Sequence, residues 1–159
     1  INLIDVEKKF FGGSLKKKPQ KDFRPIAKEI LNADGLILAT PVYWMNMSSL
    51  MKEFIDELTF LEIDSFKMEG KVAGFISTCE EDGGWQAILN MAGPLSHMGL
   101  IFPPYSMVFY NRKFPKKSEH AWMMKDFELL GKNVVELCKM IKSYKPNWDY
   151  EKKVNKKRR

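Results

Sequence analysis

Six consecutive residues, GLILAT from Gly35 to Thr40, constrain the fold more than any other feature of this chain. The run lacks polar alternation and is bounded by Asp34 and Gly35 on one side and Pro41 on the other. It therefore reads as a strand covered on both faces, as strands of a parallel sheet are. Parallel strands cannot be joined by a tight turn and need a crossover, usually a helix. The sequence supplies one. From about Ser48 to Leu58 the apolar positions Leu50, Met51, Phe54, Ile55 and Leu58 keep the helical period, and Ser48 or Ser49 is available as N-cap. A second strand of the same buried character, KVAGFIS from Lys71 to Ser77, follows.

The remaining segments extend this alternation. INLIDV, Ile1 to Val6, reads as a short strand, and Glu7 to Asp22, with Gly12, Gly13, Pro19 and many lysines, as a connector. Phe23, Ile26, Ala27, Ile30 and Leu31 mark one apolar helix face, with Pro25 tolerable in the first turn. After the loop TCEEDGG a helix runs from about Trp85 to His97. GLIFPPYSMVFY is extended but broken at Pro103 and Pro104, and a long final helix spans about Ala121 to Tyr144. The whole of residues 1–159 is expected to form one α/β domain, a parallel sheet with helices on both faces, ending in a basic tail from about residue 145.

Composition narrows the class. With 45% hydrophobic residues the chain is globular, and no run approaches a membrane span. Its net charge of +6 comes largely from Lys16, Lys17, Lys18, Lys21 and the tail Lys152 to Arg159, where no aromatic residue interleaves the charges. A solvated terminus is favoured over nucleic-acid binding. Cys79 and Cys138 form no CxxC pair and stand far in sequence from His97 and His120, so neither a disulfide framework nor a metal site is expected. Cytoplasmic localisation is the default, with no nucleic-acid or membrane partner.

In an α/β sheet, ligands bind beyond the carboxyl ends of the strands. Two segments leave strands there. The first, Thr40 to Met47, carries Pro41, Tyr43, Trp44 and Met45, bulky for a loop and suited to packing on a planar ring. The second, Thr78 to Gly84, ends in Gly83 and Gly84, which allow close backbone approach. From the residues alone two readings stay open: a heteroaromatic ligand site, or core and interface aromatics beside an ordinary turn.

The segment ADGLILATPVYWMNMSSLMKEFIDEL resembles the flavin-covering segment of the NADPH-dependent FMN reductase and iron-sulfur flavoprotein group of the flavodoxin-like superfamily. KVAGFISTCEEDGGWQAILNMAGPLSHMGL is similar to the later strand, Gly-Gly loop and helix of the same group. The likeness spans roughly Ile1 to Leu100 and fades after Phe102. It implies a doubly wound, five-stranded flavodoxin-like domain binding FMN non-covalently, commonly as a homodimer or homotetramer. By position, Thr40, Pro41, Val42, Tyr43, Trp44 and Met45 would line the isoalloxazine, met from the neighbouring loop by Thr78, Gly83 and Gly84. Lys52 and Asp56 also match the pattern, but their i, i+4 spacing favours a surface ion pair.

The sequence departs from that group twice. The group's first strand and phosphate loop have no counterpart before INLIDV, which in the strand order 2-1-3-4-5 would be strand two. The expectation is that residues lie upstream or that FMN affinity suffers. Glu7 to Asp22 also holds no cysteine, so an iron-sulfur centre is not expected.

The resemblance implies an FMN-dependent NAD(P)H oxidoreductase that passes hydride through FMN to a flavin, quinone or other small acceptor. Such chemistry belongs to the cofactor and requires no catalytic triad from the protein. The alternatives are a flavodoxin-like electron carrier, disfavoured by the basic charge, and a flavin-free interaction module. Glu80, Glu81 and Asp82 read as solvated acids, Cys79 as a small filler, His97 as structural or exposed and His120 as capping or preceding the last helix. Trp85, Tyr105 and Tyr110 are candidates to border substrate or an interface.

Overall fold

The computed structural model describes residue 21 and residues 23–62, 66–113 and 117–148. The strand expected over Ile1 to Val6, nearly all of the connector and the tail beyond Trp148 lie outside the described residues. In chain order the elements are α1 (Phe23–Asn32), β1 (Gly35–Tyr43), β2 (Asn46–Met47), α2 (Ser49–Glu62), β3 (Val72–Cys79), α3 (Gly84–His97), β4 (Met107–Asn111) and α4 (Lys117–Tyr144). The sheet order is β2-β1-β3-β4.

The expected parallel core is present. β1 and β3 run parallel from Gly35↔Val72 to Pro41↔Thr78, and β3 and β4 from Phe75↔Met107 to Cys79↔Asn111. The sheet as a whole is mixed, however, because β2 pairs antiparallel with the end of β1, Val42↔Met47 and Tyr43↔Asn46. The segment read as a loop after Thr40 is thus the continuation of a strand into a two-residue hairpin. Trp44 and Met45 form the turn at φ 48° and 65°. Positive φ at both central residues is what the primed turns that suit twisted strands demand, and for residues with a Cβ it costs roughly 1 kcal/mol each. Turn propensity misses this hairpin because neither residue is Gly or Asn.

The two central strands differ in their surroundings. Side chains of β3 are buried on both faces: Ala73 and Phe75 join the larger core with α1, α2 and α3, while Val72 packs with Val108, Leu130 and Val134 under α4. For β1 the expectation of two covered faces does not hold among the described residues. Leu38 and Thr40 are buried, but Ile37 is 46% exposed and Ala39 and Pro41 are exposed too. Composition could not distinguish the two strands, since an apolar run states what a strand tolerates rather than what lies over it.

The larger core is close-packed around Phe23, which meets Phe54 edge-on at 5.8 Å, and Phe75, which meets Phe102 at 5.0 Å and 90°. Pro103 and Pro104 interrupt the last strand as expected: Ile101 forms one isolated bridge to Val72, and β4 starts only at Met107. α4 begins before His120, which therefore sits inside its first turn instead of capping it.

Candidate functional site

Both segments singled out in the sequence lie at the carboxyl edge of the sheet, one after β1 and one after β3, and they touch. A Cβ built on Gly83 would stand 2.6 Å from Met45 Cα and 3.0 Å from Val42 Cγ1, and Gly83 itself has φ 89°. No side chain fits there. At Gly84 a Cβ would meet the Phe109 ring at 2.9 Å. That ring in turn supports Trp85 edge-on, with centroids 5.4 Å apart. The two glycines therefore let the β3–α3 loop nest between the hairpin and β4.

The expected site residues divide by exposure. Tyr43, Trp44 and Met45 are 62%, 99% and 52% exposed, and Pro41 and Thr78, paired in register, are exposed beside them. Val42 is partly buried against the core. Thr40 faces inward: its Oγ1 accepts the Ser48 N–H at 3.1 Å, and the two hydroxyls lie 3.3 Å apart. Ser48 Oγ accepts the Met51 N–H at 3.2 Å, the N-cap geometry its sequence position suggested. Thr40 thus anchors the hairpin to the start of α2, leaving Tyr43, Trp44 and Met45 as the apolar side chains presented outward.

Polar side chains that the sequence reading passed over hold this edge together. Asn46 Oδ1 accepts from both the Met47 N–H at 2.8 Å and Asn90 Nδ2 at 3.0 Å, tying the hairpin to α3. Ser77, fully buried, donates to the Gly84 carbonyl at 2.9 Å. Asn111 Nδ2 donates to the Glu81 carbonyl at 2.6 Å. Asn46, Ser77 and Asn111 each sit at or near a strand end, the one sequence signal that could have marked them. Gly83, the N-cap of α3, has no side chain to cap the helix, and the first turn carries no acid. That end keeps backbone N–H groups without a side-chain cap and the positive end of the helix dipole.

The titratable groups here are arranged for structure. Burial pushes the Cys79 thiol up, so it stays protonated, in keeping with a small filler. Hydrogen bonding to Lys113 holds the exposed Glu81 carboxyl below its ordinary range, and Glu80 pairs with Arg112 at 3.3 Å. Lys52 and Asp56 form the expected surface ion pair at 2.6 Å. Tyr110 and His120 hydrogen-bond at 3.1 Å, whereas Tyr105 precedes β4 and lies at the other end of that strand. Among the described residues no cluster of three or more His, Cys, Asp or Glu could hold a metal ion, and no helix is long and apolar enough to cross a membrane. A concavity of about 530 Å³ lined by Glu62, His97 and Gly99 lies at the far ends of α2 and α3, away from both loops.

Comparison with known proteins gives the family and the fold. Residues 1–113 match the profile of the family described as NADPH-dependent FMN reductase. The chain belongs to that family. Over 88 residues it is 35% identical to "NAD(P)H dehydrogenase (quinone) 3" of Rhizobium meliloti (strain 1021), a match covering 52% of this chain and 41% of the relative. The chain thus corresponds to less than half of that protein's length. Among solved structures, RosB with a bound 8-demethyl-8-formylriboflavin-5'-phosphate intermediate superposes with a TM-score of 0.71 at 19% identity, covering 89% of this chain and 61% of RosB. A flavodoxin, WrbA-like protein from Agrobacterium tumefaciens superposes at 0.61 and 17% identity, covering 80% and 78%. The fold of this NADPH-dependent FMN reductase family member is flavodoxin-like.

Proposed function

We propose that the chain is an NAD(P)H-dependent oxidoreductase using non-covalent FMN, held where the β1–β2 hairpin and the β3–α3 loop meet. The observation that carries this reading is the contact of Gly83 with the Met45 backbone, which joins an outward aromatic rim to a helix N-terminus with no side-chain cap. The residues suit a flavin. Tyr43, Trp44 and Met45 offer flat or polarisable apolar surface to a ring, and the start of α3 offers N–H donors to its carbonyl edge. Pro41 and Thr78 would flank the same surface, Val42 would back it, Gly83 and Gly84 would meet its edge, and Thr40 would act from behind by fixing the hairpin. No described residue is assigned to the FMN phosphate.

When bound, FMN supplies the hydride chemistry, accepting from a nicotinamide and passing electrons to a small acceptor. The protein's part is to orient the ring, to shield one face from water and to donate hydrogen bonds toward the edge where negative charge grows. The acceptor class favoured is a quinone or flavin, in line with the name of the 35% identical relative. We take residues 1–159 as a single domain, working in the cytoplasm where NAD(P)H is available; the two unpaired cysteines fit a reducing compartment. Exposed Trp44, Trp85 and Leu89 favour a homodimer or homotetramer.

The test is a visible absorbance spectrum of the purified protein with added FMN, followed by anaerobic NADPH. Flavin bands that shift on binding and bleach with NADPH are the expected result. No shift and no retention of FMN on gel filtration would sink the proposal.

A further inference from the structure

Asn111 is the last residue of β4 and is 6% exposed. Both ends of its side chain are engaged. Nδ2 donates to the Glu81 carbonyl at 2.6 Å, and Oδ1 accepts the Lys113 N–H at 2.9 Å. Only one orientation of the amide satisfies both partners, because a flipped amide would face carbonyl to carbonyl and N–H to N–H. One residue along, the Arg112 N–H donates to the Cys79 carbonyl at 2.8 Å. The end of β4 thus grips the end of β3 at Cys79 and the β3–α3 loop at Glu81.

The loop is also fixed on its far side. Gly83 is wedged against Met45, and Ser77 Oγ holds the Gly84 carbonyl. Only Asp82 lies between the Asn111 anchor at Glu81 and the Gly83 wedge, so the chain has no slack between them. The exposed pairs of Glu80 with Arg112 and Glu81 with Lys113 decorate this connection from outside, where solvent screens them. The buried amide is the part that sets backbone direction.

We propose that Asn111 is a positioning residue for the flavin site: through the Glu81 carbonyl it fixes the approach of Gly83 and Gly84, and so the aim of the backbone N–H groups at the start of α3. This rests on the flavin reading given above. It assigns a function to a strand end beyond both loops of the site, in a residue that need not touch the ligand. A donor and an acceptor on so short a side chain are needed together. Asp keeps the acceptor and loses the donor, and Ser has one oxygen and a shorter reach.

The experiment compares the unsubstituted protein with Asn111→Asp, Asn111→Ser and the control Arg112→Gln/Lys113→Gln, by amide hydrogen exchange and by FMN titration followed by potentiometry at saturating FMN. Exchange in α4 reports whether each variant remains folded. Exchange over residues 80–84 is expected to rise about tenfold in both Asn111 variants, with FMN Kd up about tenfold and a changed reduction potential, while the control stays within about twofold. Loop exchange and Kd unchanged in both Asn111 variants, or an equal effect in the control, overturns the proposal. Faster exchange with unaltered affinity and potential also overturns it, leaving Asn111 a purely structural residue. If the unsubstituted protein binds no FMN, the flavin reading falls by itself, and the exchange data still decide whether Asn111 holds the loop.

Discussion

The β1–β2 hairpin reverses the chain in two residues, Trp44 and Met45, both at positive φ and both exposed. The neighbouring β3–α3 connection uses Glu80 to Gly83 and is pinned from β4, from Ser77 and from the hairpin itself. The hairpin presents side chains on a strained backbone, and the loop presents backbone on a braced one. This division suits a site that must offer apolar surface to a ring from one side and directed N–H groups from the other. It also means that the same substitution has different consequences on the two sides.

The largest effect is expected where the two segments meet. Gly83→Ala forces a Cβ into the Met45 backbone at a left-handed φ, and should cost about 3 kcal/mol of stability in urea denaturation. A loss below about 1 kcal/mol would mean that the segments part easily and that the comparison is drawn too sharply. Next comes the hairpin's anchor: Ser48→Ala removes the α2 N-cap and the hydroxyl contact with Thr40, leaving only the backbone N–H that Thr40 accepts, and should cost about 1.5 kcal/mol in the same assay.

Trp44→Gly sharpens the contrast by acting in opposite directions. Relieving positive φ at an exposed side chain should stabilise the fold by roughly 1 kcal/mol, while loss of the proposed ring stacking should raise FMN Kd about fivefold. Stability and affinity falling together would make Trp44 a structural residue.

The smallest effect concerns charge on the braced loop. The Glu81 carboxyl is held below its ordinary value of 4.5 by Lys113, so its contribution is present above that value and is lost as pH falls through the folded-state value. Lys113→Gln should therefore melt slightly below the unsubstituted protein at about pH 6, with the difference closing below about pH 4. A difference that persists in acid would assign the effect to something other than this pair. No such pH response is expected from the hairpin turn, since neither Trp44 nor Met45 ionises.

Much of this was legible from local pattern. The apolar run of β3, the helical faces of α1 and α2, the Ser48 cap and the Lys52–Asp56 pair all depend on residues within a turn or two of one another. The hairpin was not legible, because Trp44 and Met45 carry none of the usual turn chemistry. Thr40 was expected to line the ligand, yet its side chain faces Ser48, a choice made by the pleat of β1.

The sequence by itself determined the alternation of β1, β3 and β4 with the helices, the buried character of β3 and the two segments that leave the sheet at its carboxyl edge. Tertiary structure alone decided that Gly83 abuts Met45, that Asn111 reaches Glu81 thirty residues away and that one face of β1 stays open among the described residues. Hydrophobic periodicity records whether a residue will be buried, and it carries no record of the partner. Partners at that separation are fixed by sheet register, and the register of β1, β3 and β4 exists only once the strands have met.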